Sequence, residues 1–159
     1  MGTNDFKNLS AALSAFLDDL TQKYKELLAR DGKNASGNLS RSVKALDISF
    51  STKSVTGSIS LASYWKYVEY GRKPGKMPPV SKILEWVRVK PDLPRPRNNA
   101  KPPTDAQLAF LIARKIGRDG IKPGNQLEEA LNIVWMKHKK DISDAISADL
   151  QEAVDLIKI

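Results

Sequence analysis

The chain has one histidine, His138, and no cysteine, and together these facts close most routes to catalysis. Metal sites built on thiolate and imidazole need several such ligands, and a Cys-His nucleophile pair needs both partners. A Ser-His-Asp unit would have to use His138. That residue falls on the apolar stripe of a long helical pattern, where a packed histidine is the ordinary outcome. Asp18-Asp19, Glu128-Glu129 and the pair Asp141 and Asp144 fall on polar helix faces and are expected as solvated surface. No G-x-x-x-x-G-K-[ST] or G-x-G-x-x-G occurs. Gly71-Arg72-Lys73-Pro74-Gly75-Lys76 is basic and bears glycines, but it lies between two helical patterns and not between a strand and a helix. The expectation is a chain that is not an enzyme and takes no cofactor, metal or small-molecule substrate.

Charge points to interaction instead. The net charge is +8 over 159 residues, and residues 62–103 hold 10 basic and 3 acidic groups whereas residues 125–159 hold 4 and 7. Such a polarised chain can face nucleic acid or an acidic protein surface, or stack head to tail with copies of itself. DNA phosphates are contacted by charge without a sequence code. Aromatics adjoin the central cations, as in single-strand binders, but their helical spacing suits a core better.

These residues must be positioned by helices and a hairpin. Residues 4–31 carry Phe6, Leu9, Leu13, Phe16, Leu17, Leu20, Tyr24, Leu27 and Leu28 at helical spacing, with Thr3 or Asn4 as N-cap. Ser36-Gly37-Asn38 is turn chemistry before a helical turn that docks Leu39 and Val43. The period then changes to two. Leu46, Ile48 and Phe50, and after a turn Val55, Gly57, Ile59 and Leu61, predict a β-hairpin with one buried face, which further strands must extend. A capped helix is expected over Ala106 to Ile116, broken at Gly117, and a last long helix from Asn125 to the C-terminus. The fold class is α+β: a small twisted antiparallel sheet flanked by long N- and C-terminal helices, one domain over 1–159. Residues 90–103, with five prolines, form a basic arm. No twenty-residue apolar run and no secretory signal are present, so neither a membrane partner nor export is expected.

Between hairpin and arm, Ala62 to Val89 holds five of the eleven aromatic side chains. It reads as an aromatic helix ended by Gly71, a basic turn, and a second helix opened by Pro78-Pro79. Its aromatics are expected to face inward, with Trp86 pinning the second helix to the sheet. Glu69 is expected to orient the turn, by pairing with cations or by accepting backbone N–H bonds.

The order Ser36-Gly37-Asn38-Leu39-Ser40-Arg41-Ser42-Val43, a hairpin, Tyr67-Val68-Glu69-Tyr70-Gly71, Met77-Pro78-Pro79, and Ile83-Leu84-Glu85-Trp86-Val87 resembles the small tail-component family of tailed bacteriophages. That family comprises head–tail joining, tail-completion and neck proteins. The likeness covers residues 36 to 89 and rests on four short motifs in the right order. The chain departs from the pattern at Arg72, where Thr is frequent, and at Lys122-Pro123-Gly124-Asn125-Gln126-Leu127, where Pro-Phe is usual. The resemblance implies a non-enzymatic virion protein, assembled in the host cytoplasm, forming a homo-oligomeric ring in the neck or tail around the DNA channel. Its partners would be other connector or tail proteins and, non-specifically, packaged DNA. The matched positions Gly37, Leu39, Ser42, Tyr67, Glu69, Gly71, Pro78, Pro79 and Trp86 would be structural. Arg72, Lys73, Lys76, Arg88, Arg95, Arg97 and Lys101 would face a neighbour or the channel. A basic DNA-binding accessory protein without catalytic activity is the alternative. Deleting Leu93 to Lys101 is expected to leave the chain folded but to impair particle assembly, as scored by electron microscopy.

Overall fold

A computed structural model describes residues 6–33, 37–51, 54–90, 93 and 102–157. Thr3, Asn4, Arg95, Arg97 and Lys101, and most of the arm, lie outside the described residues. The architecture is α+β and mostly helical. Two long helices, α1 (Lys7–Arg30) and α6 (Gln126–Ile157), frame it. Between them come α2 (Asn38–Ser42), strands β1 (Lys44–Ala45), β2 (Ser49–Phe50), β3 (Val55–Thr56) and β4 (Ile59–Ser60), and helices α3 (Trp65–Glu69), α4 (Val80–Val89) and α5 (Asp105–Asp119). No helix among the described residues is long and apolar enough to cross a membrane.

α1 and α6 run antiparallel, as their polar contacts show. Asn8 meets Asp149, Asp19 meets Lys137 and His138, and Arg30 meets Glu129. The seam between them is apolar: Leu20, Tyr24, Leu27 and Leu28 of α1 pack with Ala130 and Val134 of α6. Leu39 and Val43 close this core from the side, and Ile59, Leu61, Trp65 and Val68 pack onto it.

Asp149 is 3% exposed, and its carboxylate accepts the Asn8 and Leu9 backbone N–H groups at 3.1 and 2.8 Å. The first turn of α1 therefore has a cap supplied by the other long helix, which satisfies donors that every helix start leaves over.

Two carboxylates expected as solvated surface are engaged. Asp19 accepts from His138 Nε2 at 2.7 Å and pairs with Lys137, and Glu129 takes both ends of the Arg30 guanidinium at 2.8 and 2.9 Å. Arg30 also pairs with Asp31, whose other oxygen accepts from Gln126.

The hairpin is present but its expected single buried face is not. β1 pairs with β4 as Lys44↔Ser60 and Ala45↔Ile59, whereas β2 pairs with β3 as Ser49↔Thr56 and Phe50↔Val55. Leu46, Asp47 and Ile48 thus stand opposite only Gly57 and Ser58, so the first strand carries an extra residue, a bulge. A one-residue slip exchanges the two faces of a strand. Leu46 and Phe50, read as inward by strict alternation, are 49% and 39% exposed, whereas Ala45 and Ile48 are half-buried. Among the described residues no further strand extends the hairpin. It is supported by α1 instead: a Cβ on Gly57 would come within 3.0 Å of Leu17 Cδ1.

α4 and α5 form a second, smaller core of Val87, Leu108 and Ala109 with Ile83, Leu84, Trp86 and Ile112. Thr104 caps α5 through a reciprocal pair with Gln107. α5 does not break at Gly117 as the sequence suggested but runs on to Asp119. Gly117 serves close packing instead, because a Cβ there would lie 3.1 Å from Met77 Cα. Trp86 packs in this core against α5, so it does not pin α4 to the sheet. Leu93 packs here too, and a deletion starting at Leu93 would remove a core contact.

The seam makes a pH prediction. The Arg30 guanidinium, then Gln126, hold Asp31 down to about 2. Lys137 and His138 lower Asp19, and Arg30 lowers Glu129. Burial pushes Asp149 up, but the Leu9 and Asn8 amides outweigh it and the net shift is downward. Each folded value lies below the unfolded one, so this stabilisation is fully present above the ordinary carboxylate range and is lost as pH falls through the folded values. Helical circular dichroism should fall between about pH 4 and pH 2; a signal unchanged to pH 2 would contradict this account.

Candidate functional site

Glu69 is the last residue of the one-and-a-half-turn helix α3, and it is 2% exposed. Its carboxylate accepts the Leu127 N–H at 3.0 and 2.9 Å, one distance to each oxygen, and the Glu128 N–H at 3.1 Å. Its backbone carbonyl accepts from Gly124 and Asn125 at 2.9 and 3.2 Å. One residue thereby satisfies four donors at the start of α6, where the helix dipole also favours its negative charge. Its partners are backbone amides and not the nearby Arg72 or Lys73. The charge of Glu69 is felt in the core beneath: burial first, then Glu69, push the Tyr24 hydroxyl up to about 12.

The chain then doubles back on the α5–α6 connection. Arg72 and Ile121 form an antiparallel bridge, with N···O distances of 2.9 and 2.8 Å. The glycines on either side of it make that approach possible. Gly71 has φ +68° and a Cβ there would stand 2.2 Å from the Ile121 carbonyl; Gly120 has φ +74° and a Cβ would stand 2.2 Å from the Arg72 carbonyl. Both need the left-handed region and both need the empty space. The connection that departs from the resembled pattern, from Lys122 on, follows the Arg72–Ile121 bridge and is held by Glu69 at Gly124, Asn125 and Leu127, and α6 starts at Gln126.

Because Glu69, Trp65 and Val68 occupy the inner side of α3, its tyrosines do not. Tyr64, Tyr67 and Tyr70 are 40%, 60% and 66% exposed, which corrects the expectation that the aromatics of this stretch face inward. A helix of five residues has only one buried face, and here the capping carboxylate shares it.

Tyr64 and Tyr67 line a groove of about 1380 Å³ between α3 and the α4–α5 pair. Its floor is apolar: Met77, Pro78, Pro79, Val80, Ile83, Trp86 and Val89 on one side, Ile112, Ile116 and Ile121 on the other. Arg72, Lys76 and Lys82 stand at it with a single carboxylate, Glu85, which pairs with Lys82 at 3.3 Å. The Arg72 guanidinium also donates to the Lys76 carbonyl, and Lys90 Nζ lies 5.4 Å from the Trp86 ring centre. The volume exceeds the roughly 300–1,000 Å³ of small-molecule pockets, and the lining is apolar with cations at its edge.

Among the described residues the structure therefore divides the sequence candidates into four groups. Tyr67, Pro78, Pro79, Trp86, Arg72 and Lys76 come together in the groove. Glu69 and Gly71 form the joint beneath it, while Gly37, Leu39 and Ser42 belong to a separate joint. There Gly37 takes φ +71° before α2, Leu39 is buried, and the Ser42 hydroxyl donates to the Leu39 carbonyl and accepts from Ala62 N–H. Lys73 and Arg88 are exposed and lie outside the groove lining. Sequence reasoning missed Gly120, Ile112, Ile116 and Ile121. The glycine-bearing run Gly117 to Gly124 was the available signal. Among the described residues no group of three His, Asp or Glu could hold a metal ion.

No family model matches the chain, and neither a curated protein nor a solved structure matches it.

Three substitutions separate joint from surface. Glu69→Ala should cost about 2–4 kcal/mol, because it strands the buried amides at the start of α6. Gly71→Ala should cost at least about 2 kcal/mol, since both its φ and the Ile121 carbonyl forbid a Cβ. Tyr67→Ala should move stability by less than about 1 kcal/mol. Urea melts report all three, and equal losses would show that the groove wall is core.

Proposed function

We propose that the chain is a structural virion protein of a tailed bacteriophage, a subunit of a ring in the head–tail connector, neck or tail-completion assembly around the DNA channel. It acts by assembly and not by catalysis. The supporting observation is the convergence of the family-like motifs. Tyr67, Pro78, Pro79 and Trp86, scattered over twenty residues of sequence, line one open groove, and Glu69 and Gly71 build the rigid joint that holds its wall. Catalysis needs buried reactive groups aimed at a pocket, whereas this groove is broad, apolar and cation-rimmed. Ring contacts need that kind of surface. Other connector or tail proteins are the remaining partners, and Lys73, Arg88 and the arm cations supply charge for neighbours or DNA.

A second reading has its own support. Tyr64, Tyr67 and Trp86 stand beside Arg72, Lys76 and Lys82, a combination that can stack bases and pair phosphates. It describes a DNA-binding accessory protein.

Mass spectrometry and electron microscopy of purified particles from the genome that encodes the chain decide between them. The chain should be present in multiple copies, in a ring at the neck or tail. Its absence from particles, combined with DNA affinity of the isolated chain that falls steeply with salt, would replace the first reading with the second.

A further inference from the structure

The far end of α6 has the chemistry that the groove lacks. Residues 141–157 carry five carboxylates, Asp141, Asp144, Asp149, Glu152 and Asp155, and no cation. Asp149 is committed to the cap of α1. Along the same segment Ile146, Leu150, Val154 and Leu156 are 42%, 57%, 45% and 74% exposed. The first three recur every four residues and form one stripe. α1 begins at Lys7, level with Asp149 and Glu152, so α6 continues past it for its last turns. The result is an amphipathic, acidic helix end with an uncovered apolar face.

Groove and helix end match in both respects. One is concave, apolar and rimmed by Arg72, Lys76 and Lys82; the other is convex and apolar, with Asp144 and Asp155 together beyond one border of its stripe. A helix laid in an apolar groove is a recurring recognition mode. They cannot meet within one chain. The groove borders Ile121, near the start of α6, and a straight helix of 32 residues holds its other end about 45 Å away.

We propose that the last turns of α6, Ile146 to Leu156, dock in the α3–α4–α5 groove of a second copy of this chain. The contact joins two different surfaces, so each copy retains one free groove and one free helix end. Such a heterologous contact grows into a closed ring or an open filament, according to the rotation per step. The inference deepens the assembly reading above and rests on it for the premise that copies meet; it does not depend on the virion setting.

The absence of native cysteine makes the test specific. Tyr67→Cys and Leu156→Cys, both at exposed positions, are prepared as separate variants, mixed and mildly oxidised. A disulfide joining residue 67 of one copy to residue 156 of another is expected, and the double variant should give a ladder of covalent oligomers. In the mixture, Lys76→Glu with Lys82→Glu in the groove partner should lower the cross-link yield about tenfold, by loss of two surface pairs of ~0.5–1 kcal/mol each. Asp144→Lys with Asp155→Lys in the helix partner should restore it. Failure of the mixed pair to cross-link would overturn the proposal, and so would preferential 156-to-156 linkage, which marks a symmetric contact. Absence of the chain from particles with the ladder intact would sink the virion reading alone.

Discussion

The fold depends on a requirement of every helix: the amides of its first turn need acceptors. Both long helices meet it with carboxylates from distant parts of the chain. Glu69 serves α6 from 58 residues away, and Asp149 serves α1 from 140 residues away. Each cap is also a tertiary joint, since a helix start fixed to another element cannot shift along it. Burying a carboxylate is costly unless its oxygens are filled, and here they are filled by donors that had no other partner. Local satisfaction and global geometry are met by the same two residues.

Much else follows from Glu69 pointing inward. α3 is too short to bury two faces, so the turn of chain that brings Glu69 under α6 sends Tyr64, Tyr67 and Tyr70 outward. The Gly71 to Met77 segment can then lie flat against Gly117 to Pro123, backbone to backbone, because glycine stands wherever a side chain would intrude. The groove is what remains between an outward-facing α3 and the α4–α5 pair. It is open because the joint behind it is tight.

The sequence made the long helices, the cap at Thr104 and the helix-stopping role of Gly71 legible, since periodicity and turn chemistry are local signals. It could not reveal the bulge at Leu46 to Ile48. Alternation on either side of a bulge looks unbroken in one dimension, yet the pairing sums differ by one. Inward packing of the tyrosines was inferred from apolar area, and it failed because a buried charge outcompeted them for the only inner face. Trp86 was assigned to the sheet because α5, its true partner, lies beyond the arm in sequence. Gly117 read as a stop, although its actual constraint is a neighbouring backbone that no local pattern encodes. Of the groove, the α3 and α4 walls were readable as motifs, while the isoleucine wall was not, because its residues are spread over two separate segments.

α6 is a lever as well as a scaffold. Clamped at Glu69 and tied to α1 through Asp149, α6 moves with α1 as one body; its far end lies some 45 Å from the clamp, so a tilt of that pair by about 2° moves the tip by about 1.5 Å. In the closed assembly proposed above, that displacement would be repeated at every subunit, and its sum would set the curvature. In the ring proposed above, the joint at Glu69 would bear on a property far larger than itself: the diameter at which such subunits close.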